Sequence, residues 1–395
     1  MTPAVFPGLS AALLESRGAA WTAREIAQQP AVWTQVAALV TGERARIDAF
    51  LAPLLDDPTL RIVLTGAGTS AFIGDCLAPA LFAQLHRRVE AIATTELLSG
   101  PNLLLPGGSP TLLVSFARSG NSPESVAAVE LAEHILAGEV HHLAITCNRE
   151  GALALRAQSM PNACVILMPD ATHDRGFAMT SSFSAMLLAG ALAFGAITPA
   201  AIARLSQSAA ALLPEATALG ERLVAGRYER VVYLGSNELR GLAAEAALKL
   251  LELTDGRVVA VADSTLGFRH GPKTIINDRT LVVVMLSNDP YTRAYDADLL
   301  NELDRDGRAG GILALAARPD DIGRVDRIIY SGMGDAPDFE LAPLHAMVAQ
   351  SFALLQSLAL GLTPDRPDPA GTVNRVVQGV TIHPWNGLGR DVPRR

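Results

Sequence analysis

The chain has 395 residues, of which 49% are hydrophobic and 18% are charged, so it can bury a large core and is long enough for two domains. Its formal net charge of −8 argues against nucleic acid as a main partner, because binding to a phosphate backbone requires a basic surface. The N-terminus lacks a basic region followed by an apolar core, and no apolar run is long enough to span a bilayer. We therefore expect a cytoplasmic protein without a membrane partner, in which any anion site is local.

Three cysteines, Cys76, Cys147 and Cys164, lie in apolar segments without the CxxC spacing of a redox or zinc motif. This pattern predicts buried free thiols in a reducing compartment and not disulfides. We expect no metal and no other cofactor.

The first half of the chain begins with a helical arm over residues 1–47, in which a helix at 22–29 stops at Pro30 and another follows at 32–40. Beyond residue 60 the pattern changes to alternating apolar strands and helices. We predict strands at 61–65, 89–94, 111–116, 142–146 and 164–168, and helices at 69–86, 122–136 and 177–193. Almost wholly apolar strands separated by helices predict a parallel sheet covered on both faces.

The second half repeats this plan after an Ala-rich helical connection over 198–226. Strands are predicted at 230–234, 257–262, 280–286, 312–316 and 327–330, followed by a closing helix over 344–360. Equivalent strands lie about 170 residues apart, so the repeated unit is a whole α/β domain. We predict an N-terminal arm (1–47), a first domain (48–213), a second domain (214–385) and a C-terminal tail (386–395).

The segment GAGTS at 66–70 follows the first strand and opens a helix. Its glycines permit a tight turn, and the hydroxyls and amides at the start of the helix suit an anion. A dinucleotide fingerprint is the alternative, because the glycines and Ala71 fit G-x-G-x-x-A and Glu90 lies about 20 residues further on. The candidate anion-binding residues are Gly68, Thr69 and Ser70.

A second loop, RSGNS at 118–122, follows the strand at 111–116 and opens another helix. It supplies a fixed cation, two hydroxyls and a second positive helix end. An ordinary capped helix start explains either loop alone. Two helix N-termini that meet at the carboxyl edge of one sheet suit a phosphate monoester better than a dinucleotide. The candidate residues here are Arg118, Ser119, Gly120, Asn121 and Ser122.

A polar stripe crosses the Ala/Leu-rich helix of the second half. Its members, which fall within about 60° of the helix circumference, are Glu238, Glu245, Lys249 and Glu252. A solvated face with an i,i+4 Glu–Lys pair is one interpretation. The other is catalytic, because the loop FRHGP at 268–272 brings His270 to the same edge of the sheet. An acid, an amine and an imidazole are the groups that a proton-transfer enzyme uses.

The motifs GAGTS, RSGNSPES, EAALKLLEL and FRHGP, in this order, resemble those of the double-SIS (sugar isomerase) proteins, which include the isomerase half of glucosamine-6-phosphate synthase. SFARSGNSPES, PDATHDRGFAMTSSFS and GTVNRVVQGVTIHP are most similar to the AgaS-type branch, assigned to galactosamine-6-phosphate deaminase/isomerases and formerly to tagatose-6-phosphate ketose/aldose isomerases. The resemblance implies an α/β fold of two tandem SIS domains, each a flavodoxin-like, three-layer αβα unit with a parallel sheet.

The resemblance also implies residue roles. Glu252 matches the family's proton-shuttling glutamate and His270 its ring-opening histidine, while Lys249 and Glu245 match the companions of that glutamate on the helix. The sugar phosphate is expected against Ser70, Ser119 and Ser122. The chain departs from the synthase at Ala117 and Arg118, where the synthase has serine and glutamine, and around Thr372, where the synthase has a lysine.

We predict a deaminating isomerase that converts an amino-sugar 6-phosphate, in the first place D-galactosamine 6-phosphate, to tagatose 6-phosphate and ammonia. The chain shows no counterpart of the synthase's amidotransferase half, which favours release of ammonia over its capture. A plain aldose–ketose isomerase and a non-catalytic sugar-phosphate sensor are the alternatives. In the resembling enzymes the histidine reaches across a dimer interface, so we expect a homodimer with shared active sites.

Overall fold

In this computed structural model, which describes residues 5–377 and 379–385, the chain opens with an arm of four helices. They are α1 (Ala11–Ser16), α2 (Ala20–Ala27), α3 (Gln29–Gly42) and α4 (Arg44–Leu55). Pro30 lies in the first turn of α3, where its missing N–H breaks no helical hydrogen bond. Pro30 therefore lies at the start of α3. The preceding helix α2 ends at Ala27, two residues before its predicted end at 29.

The first sheet has five parallel strands within the described residues, in the order β2-β1-β3-β4-β5. Strands β1 and β3 pair from Arg61 opposite Thr111 to Thr65 opposite Ser115. The elements are β1 (Arg61–Thr65), α5 (Thr69–Leu85), β2 (Val89–Ala91), α6 (Thr94–Ser99), α7 (Pro101–Leu104), β3 (Thr111–Ala117), α8 (Pro123–Leu136), β4 (Val140–Thr146), α9 (Ala152–Gln158), β5 (Ala163–Leu167) and α10 (Ser181–Ala193).

The second sheet also has five parallel strands in the described part of the chain, in the order β10-β9-β8-β6-β7. The first strand of each half is second from one edge, so both halves share one topology and the predicted duplication is confirmed. The elements are α11 (Pro199–Val224), β6 (Arg230–Gly235), α12 (Glu238–Leu253), β7 (Val259–Asp263), α13 (Thr265–Phe268), β8 (Thr280–Met285), α14 (Pro290–Asp306), β9 (Gly311–Ala316), β10 (Asp326–Ile329) and α15 (Asp338–Ala359).

Alternate residues of each strand enter different cores, as the two-residue period of a strand requires. Ile62 and Leu64 of β1 face a large central core that α5, α10, α12 and α15 also fill, whereas Val63 faces an outer core under α6 and α8. A separate outer core lies under α14 on the second sheet. The predicted fold class, two tandem three-layer αβα domains with a helical arm, is confirmed.

Several predicted boundaries were wrong. The strand predicted at 89–94 ends at Ala91, because Thr94 already begins α6. The helix predicted at 177–193 starts at Ser181, where the buried Asp174 carboxylate accepts the backbone N–H groups of Thr180 and Ser182. The strand predicted at 257–262 spans Val259–Asp263. It lies at the edge of the second sheet, where Val259 is 48% exposed. The polar helix α14 was not predicted, because its sequence lacks a clear apolar period.

The helix α11 runs continuously from Pro199 to Val224 and crosses the predicted domain boundary at 213/214. The arm boundary at 47/48 likewise lies inside α4. We therefore propose 1–47, 48–213 and 214–385 as the ranges of the arm and the two repeated units. The boundaries between them lie within helices and do not mark linkers. The tail at 386–395 lies outside the described residues.

Among the described residues one helix, α15, is long and apolar enough to cross a membrane by length and composition, but 94% of its apolar window is buried inside the protein. It packs against α11 and α12 in the central core. Its composition is therefore that of a core helix.

The helices α5 and α12, which occupy equivalent places in the two halves, cross in close contact. A Cβ on Gly241 of α12 would lie 2.7 Å from the Cβ of Asp75 and 2.9 Å from the backbone nitrogen of Cys76, both on α5. Glycine at this position lets the two backbones approach. The crossing brings the start of α5 beside the last turns of α12, where the predicted site residues lie.

Candidate active site

A cavity of about 230 Å³ lies at the carboxyl ends of β1 and β3. This is the edge at which parallel α/β sheets bind their ligands. Five stretches of the described chain line it: the loop at 67–70, the loop at 116–122 with Ser125, the stretch containing Phe177 and Met179, Glu252, and the C-terminal segment Val373–Val377.

The first loop turns tightly before α5. A Cβ on Gly66 would lie 2.5 Å from the carbonyl group of Ser70, and Gly68 has a φ of 56° and a ψ of −128°. The second half uses the same turn, in which Asn237 has a φ of 51° and a ψ of −121°. Gly68, Thr69 and Ser70 all line the cavity, so the first predicted anion loop is at the site.

The second loop places the N-terminus of α8 at the same cavity. Ser122 is the N-cap residue of α8, and its Oγ accepts the backbone N–H of Ser125 at 3.3 Å. Arg118, Ser119, Gly120 and Ser122 line the cavity. Asn121 does not, because its Oδ1 accepts the backbone N–H of Ala152 at the start of α9. Its predicted contact with phosphate therefore has no support in the geometry.

Arg118 is buried in the wall of the cavity, with 6% of its surface exposed. Its Nη1 donates to the carbonyl oxygen of Phe177 at 3.1 Å, and its Nη2 donates to that of Arg375 at 2.6 Å. Burial lowers the pKa of Arg118, and the neighbouring charge of Arg375 adds to this effect. Two cations thus lie close together in the wall, an arrangement that an anionic ligand would stabilise.

The sequence reasoning missed the C-terminal segment as a wall of the site. Its polar residues were noted, but its position was not predicted, because no local pattern shows where a loop after the last helix will pack. Asp368 holds the turn that leads into the segment by accepting the backbone N–H of Val373 at 2.9 Å. Arg375 then donates to the carbonyl oxygen of Asp174. Asn374 and Arg375 are thereby placed in the wall of the cavity.

Glu252 supplies the carboxylate of the cavity, and among the described lining residues it is the one acid. The Nζ of Lys249 donates to Oε2 of Glu252 and, at 2.7 Å, to Oγ1 of Thr69. The ammonium group therefore ties α12 of the second half to the loop at 67–70 of the first half. This contact follows from the close crossing of α5 and α12.

Lys249 and Glu245 are each 1% exposed and lie behind Glu252, away from the cavity. The interpretation of the polar stripe as a solvated face is therefore wrong. The Nζ of Lys249 is 3.6 Å from Oε1 of Glu245. Burial raises the pKa of Glu245 to about 8, against the effect of the Lys249 ammonium and with that of the Glu252 carboxylate. Near neutral pH Glu245 is thus mostly protonated, and Lys249 pairs with Glu252.

His270 is exposed, and it is not among the residues that line the cavity. It follows α13, whose last residue, Phe268, is fully buried, and Arg269 beside it donates to Glu302 at 2.8 Å. The loop is thus fixed at its base, and His270 beyond it is exposed. Within one chain, the predicted acid and amine come together and the predicted imidazole does not join them.

The dinucleotide interpretation is weakened by Glu90. Arg61 donates to both oxygens of this carboxylate, at 2.7 and 3.1 Å. The acid that would bind a ribose is therefore already paired on the strand. Together with the second loop, this geometry favours a phosphate monoester.

The loops at 67–70 and 116–122, which we call the serine loops, lie at the carboxyl edge of the first sheet. A parallel αβα fold with two such loops is characteristic of sugar-phosphate isomerase domains. In agreement, the chain matches the SIS domain family over residues 55–196.

Relatives cover nearly the whole chain. A Streptomyces coelicolor AgaS relative is 51% identical over 92% of this chain and 96% of its own length. The Escherichia coli D-galactosamine-6-phosphate deaminase AgaS is 48% identical over the same shares. The crystal structure of the Escherichia coli tagatose-6-phosphate ketose/aldose isomerase superposes with a TM-score of 0.86 at 46% identity, over 92% of this chain and 97% of that one. The chain belongs to the AgaS family of SIS-domain proteins.

Proposed function

We propose that the protein is a deaminating isomerase that converts D-galactosamine 6-phosphate and water to tagatose 6-phosphate and ammonia. The observation that carries the proposal is the position of Glu252, whose carboxylate faces a cavity walled by two serine loops at helix N-termini. The name of the Escherichia coli relative, a D-galactosamine-6-phosphate deaminase, supports the choice of substrate.

The phosphate group is expected at the N-termini of α5 and α8. The two helix starts, with Ser70, Ser119 and Ser122, line the cavity, and backbone N–H groups at helix N-termini suit an anion. Arg118 adds a fixed positive charge beside them. The reacting carbons C1 and C2 would then lie toward Glu252.

Glu252 would act as the general base and acid. In the open-chain aldehyde it takes the proton from C2, which gives an enolamine between C1 and C2, and it returns the proton to C1. The resulting C2 imine adds water and expels ammonia, leaving the ketose. One carboxylate suffices for both transfers, because C1 and C2 are adjacent. The step at the imine is hydrolytic, so the enzyme combines isomerase and hydrolase chemistry.

Lys249 would position this base. Its ammonium group lies behind Glu252 and holds it against Thr69, so it acts on the substrate through these two residues. Glu245 is mostly protonated near neutral pH, so the ammonium group of Lys249 forms its ion pair with Glu252. We assign both residues to orientation and charge balance and not to direct contact with the substrate.

His270 would open the sugar ring from the partner subunit of a homodimer. The proposal rests on its exposed position away from the cavity of its own chain, and on the resembling enzymes, in which the matching histidine crosses an interface. We further place the enzyme in the cytoplasm, where the three buried free thiols would stay reduced.

Ammonia release on mixing the protein with D-galactosamine 6-phosphate tests the proposed function. We expect stoichiometric ammonia and tagatose 6-phosphate. Conversion of tagatose 6-phosphate to an aldose phosphate, with no release or uptake of ammonia, would identify a plain isomerase instead. Binding of either sugar phosphate without turnover would identify a sensor, and both results would refute deamination.

A further inference from the structure

We propose that Glu25 of the N-terminal arm is a positioning residue that sets the guanidinium groups of Arg118 and Arg375 at the cavity through the loop at residues 174–177. The inference rests on the proposed function, since it assigns these two arginines to the anionic substrate. It gives the N-terminal arm a part in substrate binding.

The loop at 174–177 holds both arginines by its carbonyl oxygens. The carbonyl oxygen of Phe177 accepts Nη1 of Arg118 at 3.1 Å, and that of Asp174 accepts Nη2 of Arg375. Arg118 in turn donates to the carbonyl oxygen of Arg375 at 2.6 Å. A shift of this loop would therefore move both guanidinium groups together.

Glu25 holds the same loop from the other side. Its carboxyl group is 3% exposed and accepts the backbone N–H groups of Arg175 and Gly176, the latter at 3.2 Å from each oxygen. A Cβ on Gly176 would lie 2.9 Å from Oε2 of Glu25 and 2.8 Å from Oγ1 of Thr22. The loop thus lies directly on α2, without room for a side chain between them.

The position of α2 is itself fixed by the segment that leads to the C-terminal wall. The carboxylate of Asp365 accepts the backbone N–H groups of Trp21 at 3.1 Å and Thr22 at 2.8 Å, both in the first turn of α2. A chain of hydrogen bonds therefore links Asp365, α2, the loop and the two arginines. Both ends of this chain of hydrogen bonds, Asp365 and Arg375, lie in the stretch that follows α15.

A buried acid is a costly choice for simple packing. Burial, and then the charge of Asp174, raises the pKa of Glu25 to about 9. The carboxyl group is thus neutral near pH 7, and what it offers is a pair of acceptor oxygens for the loop. The Nε groups of Arg118 and Arg375 are buried without a hydrogen-bond partner among the described residues, so the carbonyl oxygens of the loop fix each guanidinium through its Nη atoms alone.

The test compares three variants with the wild type. Glu25→Ala removes the acceptors, Glu25→Gln keeps one acceptor oxygen in the same place, and Gln29→Ala is a matched control. Gln29 is also a fully buried polar residue of the arm, but it pairs with Gln350 and Ser184 and does not contact the loop. For each variant we would measure the melting temperature, the KM for D-galactosamine 6-phosphate and, by calorimetry, the Kd for inorganic phosphate.

We expect Glu25→Ala to raise KM and the Kd for phosphate together by about 10- to 100-fold, the order of loss that follows from misplacing a substrate-positioning group. Glu25→Gln should retain values close to the wild type. Gln29→Ala should lower the melting temperature without changing either constant.

Wild-type constants in a folded Glu25→Ala variant would overturn the proposal. So would a rise in both constants in Gln29→Ala equal to that in Glu25→Ala, because the arm would then act only through general stability. The calorimetric measurement needs no turnover, so the role of Glu25 is judged even if the wild type releases no ammonia.

Discussion

Replacing Lys249 by methionine tests the buried charge group behind the base. The ammonium group is 1% exposed and lies between Glu245 and Glu252, so its removal leaves the buried Glu245 and the cavity-facing Glu252 without their cation. Breaking a buried ion pair in this way costs about 3–5 kcal/mol of unfolding free energy. We expect a loss of this size in urea unfolding measured at about pH 8.5, well above the ordinary pKa of a carboxyl group.

The loss should shrink as the pH falls. A carboxylate that has lost its cation takes up a proton more readily, and a protonated carboxyl group costs far less to bury. The pKa of Glu245, already raised to about 8 in the presence of Lys249, can only rise further when that ammonium is removed. At about pH 6 the variant should therefore recover part of its stability relative to the wild type.

Lys273→Met is the matched control, because Lys273 also contacts two carboxylates, those of Glu302 and Asp306, but at the surface. Ion pairs that water reaches contribute little to stability, so the control should lose much less, and its loss should depend little on pH. Equal losses for the two lysine variants would refute the reasoning. A loss for Lys249→Met that stays the same at both pH values would refute it as well.

Three further predictions concern binding, assembly and the arm. Ser119→Ala should raise KM more than it lowers kcat in steady-state kinetics, because the phosphate lies away from the reacting carbons; equal activity on the unphosphorylated sugar would contradict a phosphate site. Mixing inactive His270→Ala with inactive Glu252→Gln should restore part of the ammonia release, and no recovery after verified subunit exchange would mean that each site is built within one chain. Because the folded-state pKa of Glu25 lies above its ordinary value, its contribution to stability is complete at low pH and is lost as the pH rises to about 9. Glu25→Gln should therefore gain stability over the wild type by up to about 1.4 kcal/mol per pH unit in urea unfolding between about pH 5 and 9, and a constant difference would show that Glu25 is ionised throughout.

The sequence was sufficient for the parts of the fold that local patterns determine. The apolar strands separated by helices predicted both parallel sheets, and the repeat of this plan about 170 residues later revealed the duplication. Boundaries were less accurate where a distant side chain decides them, as at the start of α10, which Asp174 caps from seven residues before Ser181. The sequence predicted the strand β7 but not its position at the edge of the sheet, because a short apolar run does not show its place in the sheet.

The site was predictable to the extent that it is built from loops and one helix. Both serine loops and Glu252 reach one cavity, as parallel strands require. The burial of Lys249 and Glu245 was not determined by the stripe alone, because the same spacing suits a solvated helix face; it follows from the crossing of α5 and α12 at Gly241. The roles of Arg375 and Glu25 arise from contacts between segments far apart in the chain, which one sequence does not reveal.

Hydrogen exchange at C2 of the substrate tests the central claim most directly. With D-galactosamine 6-phosphate in deuterium oxide, the wild type should exchange the C2 hydrogen, and Glu252→Gln should bind the substrate but stop exchange and lower kcat by about 10²- to 10⁴-fold, as expected when a general base is removed. Glutamine keeps the shape of the side chain and cannot accept the proton. Retained exchange in Glu252→Gln would contradict the account and move the base to another residue.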